Sequence, residues 1–155
     1  MWRSTRQRGF SLIEVLVVLV IVSVFIGLTT MSVDGMQSRR SEEELERVRR
    51  LLEMAGDYAE TRGTQLAVDF LPNGYRFSEL QTDGEWHLLF PPSPFAERSW
   101  PSGVSVTRVE VDGVEAQSPM RIIFGSEPPE YQLVLTTPEG AKHITGQING
   151  MVDVD

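Results

Sequence analysis

An apolar segment close to the N-terminus constrains this chain more than any other feature. Residues 10–28 read FSLIEVLVVLVIVSVFIGL and contain a single charged side chain, Glu14. A helix of this length rises about 28 Å at 1.5 Å per residue, close to the thickness of the hydrocarbon layer of a bilayer. The alternative, a buried core helix of a soluble protein, fits a charge-poor run rich in β-branched residues less well. We therefore predict a transmembrane helix over residues 10–30.

The sequence on either side of this segment predicts its orientation and its retention. Three arginines, Arg3, Arg6 and Arg8, precede it, and such positive flanks stay on the cytoplasmic side of a membrane. The run is too long for the apolar region of a signal peptide, and no small-x-small cleavage site closes it. From Asp34 onward, 21 acidic residues outnumber 11 basic ones. We expect an acidic domain on the far side of the membrane.

Glu14 is the anomaly within the apolar segment. A carboxylate costs about 2.5–3.5 kcal/mol at the centre of a membrane helix and less near its ends. The acid is either tolerated near the interface or paired with a cation inside the membrane. No Lys, Arg or His occurs between Phe10 and Gln37, so the chain offers no side-chain partner there. A cut between Gly9 and Phe10 would create an α-amino group that an adjacent copy could present to Glu14.

The residues around this position carry a family resemblance. The stretch Arg8-Gly9-Phe10-Ser11-Leu12-Ile13-Glu14-Val15 resembles the class III signal of type IV pilins and type II secretion pseudopilins. The resemblance implies that a prepilin peptidase cuts between Gly9 and Phe10 and methylates the new amino group of Phe10. It also implies that Glu14 pairs with the N-terminal amine of a neighbouring subunit during assembly.

A second helical pattern follows the apolar segment. Apolar residues recur at spacings of three and four, which is typical of one face of an amphipathic helix; they are Leu45, Val48, Leu52, Ala55 and Ala59. Ser41 and Glu44 match a capping box and predict a fresh helix start, whereas the pilin resemblance implies one long helix. Both can hold if Gly27 or Asp34-Gly35 is a weak spot in that helix. The acidic run 42–46 is interpreted as a solvated face, with a subunit contact as the alternative.

Beyond Thr64 the pattern becomes that of short strands. Alternating or short apolar runs are separated by turn dipeptides, and eight strands are predicted, at 65–71, 75–77, 85–90, 104–111, 120–124, 131–136, 142–148 and 151–154. We predict an α+β, type IV pilin-like fold in which a long N-terminal helix packs against an antiparallel β domain of seven or eight short strands. The predicted segments are a cleaved leader, 1–9; the membrane helix, 10–30; an amphipathic helix, 31–62; and a periplasmic β domain, 63–155.

A proline-rich loop, residues 91–103, interrupts the strands. Its four prolines leave little backbone entropy to lose, and it carries two large apolar side chains, Phe95 and Trp100. These rings either fold back to cap the core or form a docking site, because rigid aromatic residues are frequent binding hot spots. Phe95 and Trp100 are therefore candidate partner contacts.

No motif for catalysis, cofactor binding or metal binding stands out. His87 and His143 have no HExxH-like partner and are interpreted as strand-surface residues, and no phosphate-binding or nucleophile-elbow motif occurs. The terminal acids Asp153 and Asp155 are interpreted as a frayed tail rather than a cation site. The chain contains no cysteine. Its net charge of −8 argues against nucleic acid as a partner. We predict neither an enzyme nor a cofactor or metal.

The remainder of the chain resembles a narrower family. Ala59-x-x-Arg62 before Gln65, Phe124-Gly125-Ser126 before a Leu133 strand and a glycine-rich last hairpin are similar to the H-type minor pseudopilins of type II secretion, the GspH family. The resemblance implies an inner-membrane subunit near the tip of a pseudopilus that supports export of folded proteins. Its implied partners are prepilin peptidase, the major and other minor pseudopilins, and the assembly platform. The alternatives are a FimT- or FimU-like minor pilin and a membrane-anchored binding protein for secreted substrates.

Overall fold

The computed structural model describes the backbone of residues 11–155 and the side chains of residues 11–24 and 35–155. One helix, α1, spans Leu12–Arg62, and ten strands follow it: β1 Leu66–Leu71, β2 Gly74–Leu80, β3 Trp86–Leu88, β4 Arg98–Ser99, β5 Ser105–Val111, β6 Val114–Glu115, β7 Met120–Phe124, β8 Tyr131–Thr137, β9 Gly140–Gly146 and β10 Val152–Val154. The chain divides into two compact units, Met1–Met36 and Gln37–Asp155.

The described part of the first unit is helical. Its side chains from residue 11 to residue 24 are all exposed. The described residues include no helix that combines the length and the hydropathy of a membrane span. The predicted membrane segment, 10–30, reaches beyond the described side chains at Phe10 and at 25–30, so it stays a prediction.

The capping box predicted at Ser41 is not a helix start. Helix α1 continues without a break through Gly27, Gly35 and Ser41. The Ser41 hydroxyl donates to the carbonyl of Gln37 at 3.1 Å, which is the bond that serine makes inside a helix rather than at its beginning. The prediction of a fresh start is therefore wrong, and the continuous helix implied by the pilin resemblance is confirmed.

The apolar face of the helix lies in the core of the second unit, as its spacing predicts. The five predicted residues, Leu45, Val48, Leu52, Ala55 and Ala59, are all buried, and Leu51 joins them. They belong to one core cluster with strand residues such as Phe77 and Leu133. Full burial of one large aliphatic side chain contributes roughly 1.5–3 kcal/mol, so this face holds the helix in the domain.

Two antiparallel five-stranded sheets complete the second unit. In the first sheet the order is β3-β2-β1-β7, with β4 also paired to β2; in the second it is β10-β9-β8-β5-β6. The predicted α+β class is confirmed, but there are ten strands rather than seven or eight in the described chain. The two additional strands, Arg98–Ser99 and Val114–Glu115, have two residues each and are too short to give an alternating pattern.

Candidate functional site

The N-terminal motif lies at the beginning of helix α1. Gly9 and Phe10 are outside the described residues. The helix begins at Leu12, and the carbonyl of Ser11 accepts hydrogen bonds from the backbone N–H groups of Glu14, at 2.9 Å, and Val15, at 3.3 Å. Serine is a favoured residue at this capping position. Glu14 therefore occupies the first turn of the helix and is the fifth residue after the predicted cleavage site.

The helix favours an acid at this position. Unpaired N–H groups give the first turn of a helix a partial positive charge, and an acid placed there gains about 0.3–1 kcal/mol. The Glu14 side chain is exposed, so its carboxylate is accessible to a group from outside this chain.

A second acid, Glu44, differs from the exposed Glu14 in its burial. It is buried, although the sequence places it in a run interpreted as a solvated face; its neighbours Glu42 and Glu43 are exposed. The Tyr75 hydroxyl donates to Glu44 Oε1 at 2.7 Å, and Arg47 Nη1 donates to Glu44 Oε2 at 2.7 Å. Burial, followed by the hydrogen bond to Glu44 and its charge, raises the pKa of Tyr75. The solvated-face interpretation is wrong for Glu44.

Glu44 also lies next to the proline-rich loop. Arg98 Nε is 3.9 Å from Glu44 Oε1, and Arg98 belongs to strand β4, which pairs with Tyr75 and Gly74. A side chain at Gly74 would overlap the carbonyl oxygen of Arg98, so this glycine permits the close approach of the two backbones. The Glu44–Tyr75 pair thus joins the helix to strand β2 where the loop docks.

The two aromatic residues of the loop, Phe95 and Trp100, pack on the core. Phe95 is 2% exposed, and its ring centroid lies 5.5 Å from that of Tyr58 and 5.1 Å from that of Phe77. Trp100 lies parallel to Phe70 at 6.4 Å, and its indole N–H donates to the carbonyl of Leu71 at 3.1 Å. Folding back onto the core, the first of the two interpretations, agrees with this geometry. Contact of either residue with a partner stays a prediction, and only Trp100 keeps appreciable exposed surface.

Three potential metal ligands come together at the turn before strand β3. One ligand atom from each of Asp83, Glu85 and His87 lies within 4.8 Å of the others, and His87 Nε2 is 3.4 Å from Asp83 Oδ2. The i, i+2, i+4 spacing of these residues is the only sequence signal for this grouping. All three side chains are exposed, so water competes freely for the same positions, and we assign no metal to them. His87 lies on a strand surface, as predicted.

Comparison with known proteins agrees with both the motif and the fold. The family described as Prokaryotic N-terminal methylation motif matches residues 4–30. Type II secretion system protein H of Klebsiella michiganensis is 34% identical over 77 residues, which make up 50% of this chain and 42% of that protein. The chain therefore matches less than half the length of this curated relative.

Two solved structures of a minor pseudopilin share the fold of this chain. One structure of the minor pseudopilin EpsH from the type II secretion system of Vibrio cholerae superposes with a TM-score of 0.59 at 15% identity, covering 75% of this chain and 96% of EpsH. A second, a crystal structure of EpsH, gives 0.60 at 14% identity and covers 75% and 93%. The predicted resemblance is thereby confirmed: the chain joins a prokaryotic N-terminal methylation motif to a domain with the fold of the H-type minor pseudopilins.

Proposed function

We propose that this chain is a minor pseudopilin of a type II secretion system, made as a precursor and assembled near the tip of the pseudopilus to support export of folded proteins. One observation carries the proposal: an N-terminal methylation motif over residues 4–30 and an EpsH-like fold occur in the same chain. The chain is then a structural component, and it is the substrate of a peptidase rather than an enzyme.

Processing is the first step of this function. Prepilin peptidase cuts between Gly9 and Phe10 and methylates the new amino group of Phe10. Removal of residues 1–9 eliminates Arg3, Arg6 and Arg8 and leaves a positively charged amine at the end of an apolar segment. The leader therefore directs insertion, and its removal creates the cation that the chain otherwise lacks near Glu14.

The exposed apolar surface of the first unit supports an inner-membrane location before assembly. Large apolar side chains from Leu12 to Val24 are between 46% and 83% exposed. A continuous apolar surface of this kind requires cover by lipid or by other apolar helices. Residues 10–30 hold the subunit in the inner membrane with the N-terminus in the cytoplasm and the β domain in the periplasm, and they join the helical core of the fibre after assembly.

Glu14 recruits the subunit into the fibre. Charge attraction strengthens as the local dielectric constant falls, and a buried acid without a partner is strongly unfavourable. A subunit whose Glu14 pairs with the Phe10 amine of a neighbouring subunit is therefore more stable in the fibre than as a free subunit, in which the carboxylate lies alone among lipid tails. The assembly platform and the other pseudopilins, major and minor, are the partners of this step.

Mass spectrometry of the full chain produced together with prepilin peptidase tests the proposal. We expect loss of residues 1–9 and the added mass of one methyl group on Phe10. Gly9→Val places a branched side chain at the cleaved bond and should leave the precursor intact. The matched control Gly27→Val makes the same change within the apolar segment and should still be cut. Recovery of an uncut wild-type chain, or equal cleavage of both variants, would overturn the proposal.

A further inference from the structure

The face of the first sheet that points away from the core has an unusual composition. Side chains alternate between the two faces of a strand; Phe70 and Phe77 are core residues, so their neighbours along the strands point outward. We call this surface the outer face and define it by Asp69, Arg76, Trp86, Leu88, Arg121 and Ile123. Strand β1 pairs with β2 on one side and with β7 on the other. This pairing places Asp69 directly opposite Arg76 of β2 and Arg121 of β7.

Two arginines share a single carboxylate on the outer face. Arg121 Nε donates to Asp69 Oδ1 at 2.6 Å and Arg121 Nη2 donates to Asp69 Oδ2 at 2.9 Å. Arg76 Nε is 3.4 Å from Asp69 Oδ2 and its side chain is 37% exposed. Arg121 bonds both oxygens of the buried Asp69 carboxylate, and Arg76 adds only the longer bond from its Nε. The two terminal nitrogens of Arg76 make no hydrogen bond with the described residues. The outer face is locally positive on a chain whose net charge is −8.

Arg121 is held from two sides. Arg121 Cζ lies 5.4 Å from the centroid of the Trp86 ring, a cation–π distance, while Asp69 fixes the other side of the same guanidinium. Beneath this layer Ala67 and Ser78 are buried, and the Ser78 hydroxyl has no hydrogen-bond partner among the described residues. A surface that is ordered before binding loses little conformational entropy when a partner arrives.

The outer face also carries exposed apolar side chains. Leu88 and Ile123 are 39% and 42% exposed, and Phe90, the second residue after strand β3, is 67% exposed. Leu89 packs against the core and its N–H donates to the carbonyl of Phe77 at 3.0 Å, so Phe90 follows the alternation to the outward side. Rigid aromatic and arginine residues at the centre of a patch are typical of protein interfaces.

We propose that the outer face docks an acidic polypeptide segment with apolar side chains, supplied by a different subunit of the pseudopilus. Charge complementarity selects this occupant: carboxylates fit the free donors of Arg76, and apolar side chains fit Phe90, Leu88 and Ile123. The inference rests on the proposed function, because that function provides the neighbouring subunits.

Site-specific photo-crosslinking tests the docking surface in cells that contain the full secretion apparatus. Phe90 is replaced by a photoreactive phenylalanine in the full chain; the position is well exposed, so the replacement leaves the core intact. The matched control places the same group at Ile148, which is 74% exposed in the turn between β9 and β10. We expect a crosslink from position 90 to one other pseudopilin and a much weaker one from position 148.

A charge variant makes the test specific. Arg76→Gln removes the positive charge and retains an amide, and it should lower the yield at position 90 by up to about fivefold, the range of a rim ion pair, without changing the yield at position 148. A product with the mass of two copies of this chain, a lipid adduct, equal yields at both positions or no product would each overturn the docking surface. Removal of the leader is measured in the same cells: if it occurs and docking fails, the proposed function stands, whereas a retained leader overturns both.

Discussion

The hydrogen bond between Tyr75 and Glu44 should be a measurable part of the stability of the β domain. Tyr75→Phe removes only the hydroxyl group and keeps the ring. The ring is 1% exposed and its centroid lies 4.8 Å from that of Trp100 and 6.1 Å from that of Phe77. The substitution therefore isolates one hydrogen bond to a buried carboxylate from the packing around it.

The expected cost follows from the partners that remain. A hydrogen bond to a charged group contributes about 1.5–3 kcal/mol. Arg47 Nη1 stays 2.7 Å from Glu44 Oε2, so the carboxylate is still partnered after the substitution. We therefore expect the free energy of unfolding to fall by about 1.5–2 kcal/mol, the lower part of that range.

Tyr131→Phe is the matched control. The Tyr131 hydroxyl is also buried, but it has no hydrogen-bond partner among the described residues, and removing an unpaired polar group is neutral or stabilising. Urea denaturation of the full chain in detergent, followed by near-ultraviolet circular dichroism, gives both free energies of unfolding. Equal losses in the two variants, or no loss in Tyr75→Phe, would refute the assigned role of Glu44.

Two further predictions concern the same domain. Burial raises the pKa of both Tyr75 and Tyr131, with a smaller contribution from Glu44 to the first and from Glu53 to the second. As the pH rises, the unfolded chain therefore releases these protons before the folded chain does. Urea titrations should show a free energy of unfolding that does not change below about pH 10 and that falls above it by about 1.4 kcal/mol per pH unit for each tyrosine. Arg121→Met should cost about 3 kcal/mol because the buried Asp69 carboxylate then keeps only its longer contact with Arg76 Nε, at 3.4 Å. Adding Asp69→Asn should recover much of the loss, which thermal unfolding of the single and double variants measures.

Local patterns account for the features that the sequence predicts correctly. The spacing of Leu45, Val48, Leu52 and Ala55 follows from the geometry of one helix, and strand β7 has the predicted bounds, Met120–Phe124. The class III signal is likewise contiguous, so its resemblance is readable without any knowledge of the fold. Patterns of this kind depend on residues that are close together along the chain.

The features that the sequence misses depend on residues far apart along the chain. Glu44 looks like a solvated acid and becomes buried because Tyr75, 31 positions later, reaches it. Strand β4 exists because Gly74 admits the backbone of Arg98, and a two-residue strand has no period to detect. The outer face combines four strands, and only the register of β1 and β7 places Asp69 beside Arg121, 52 positions later.

The amount of this subunit in purified pseudopili measures the proposed role of Glu14 in assembly. Glu14→Leu removes the charge while keeping the segment apolar, and Glu42→Leu is the control because it removes an exposed acid from the same helix. We predict that both variants insert and lose the leader. The Glu14→Leu subunit should fall at least about tenfold in the fibre fraction, since a buried ion pair that loses one partner is strongly destabilised. The Glu42→Leu subunit should stay at the wild-type amount. Wild-type incorporation of a processed Glu14→Leu subunit would contradict the account.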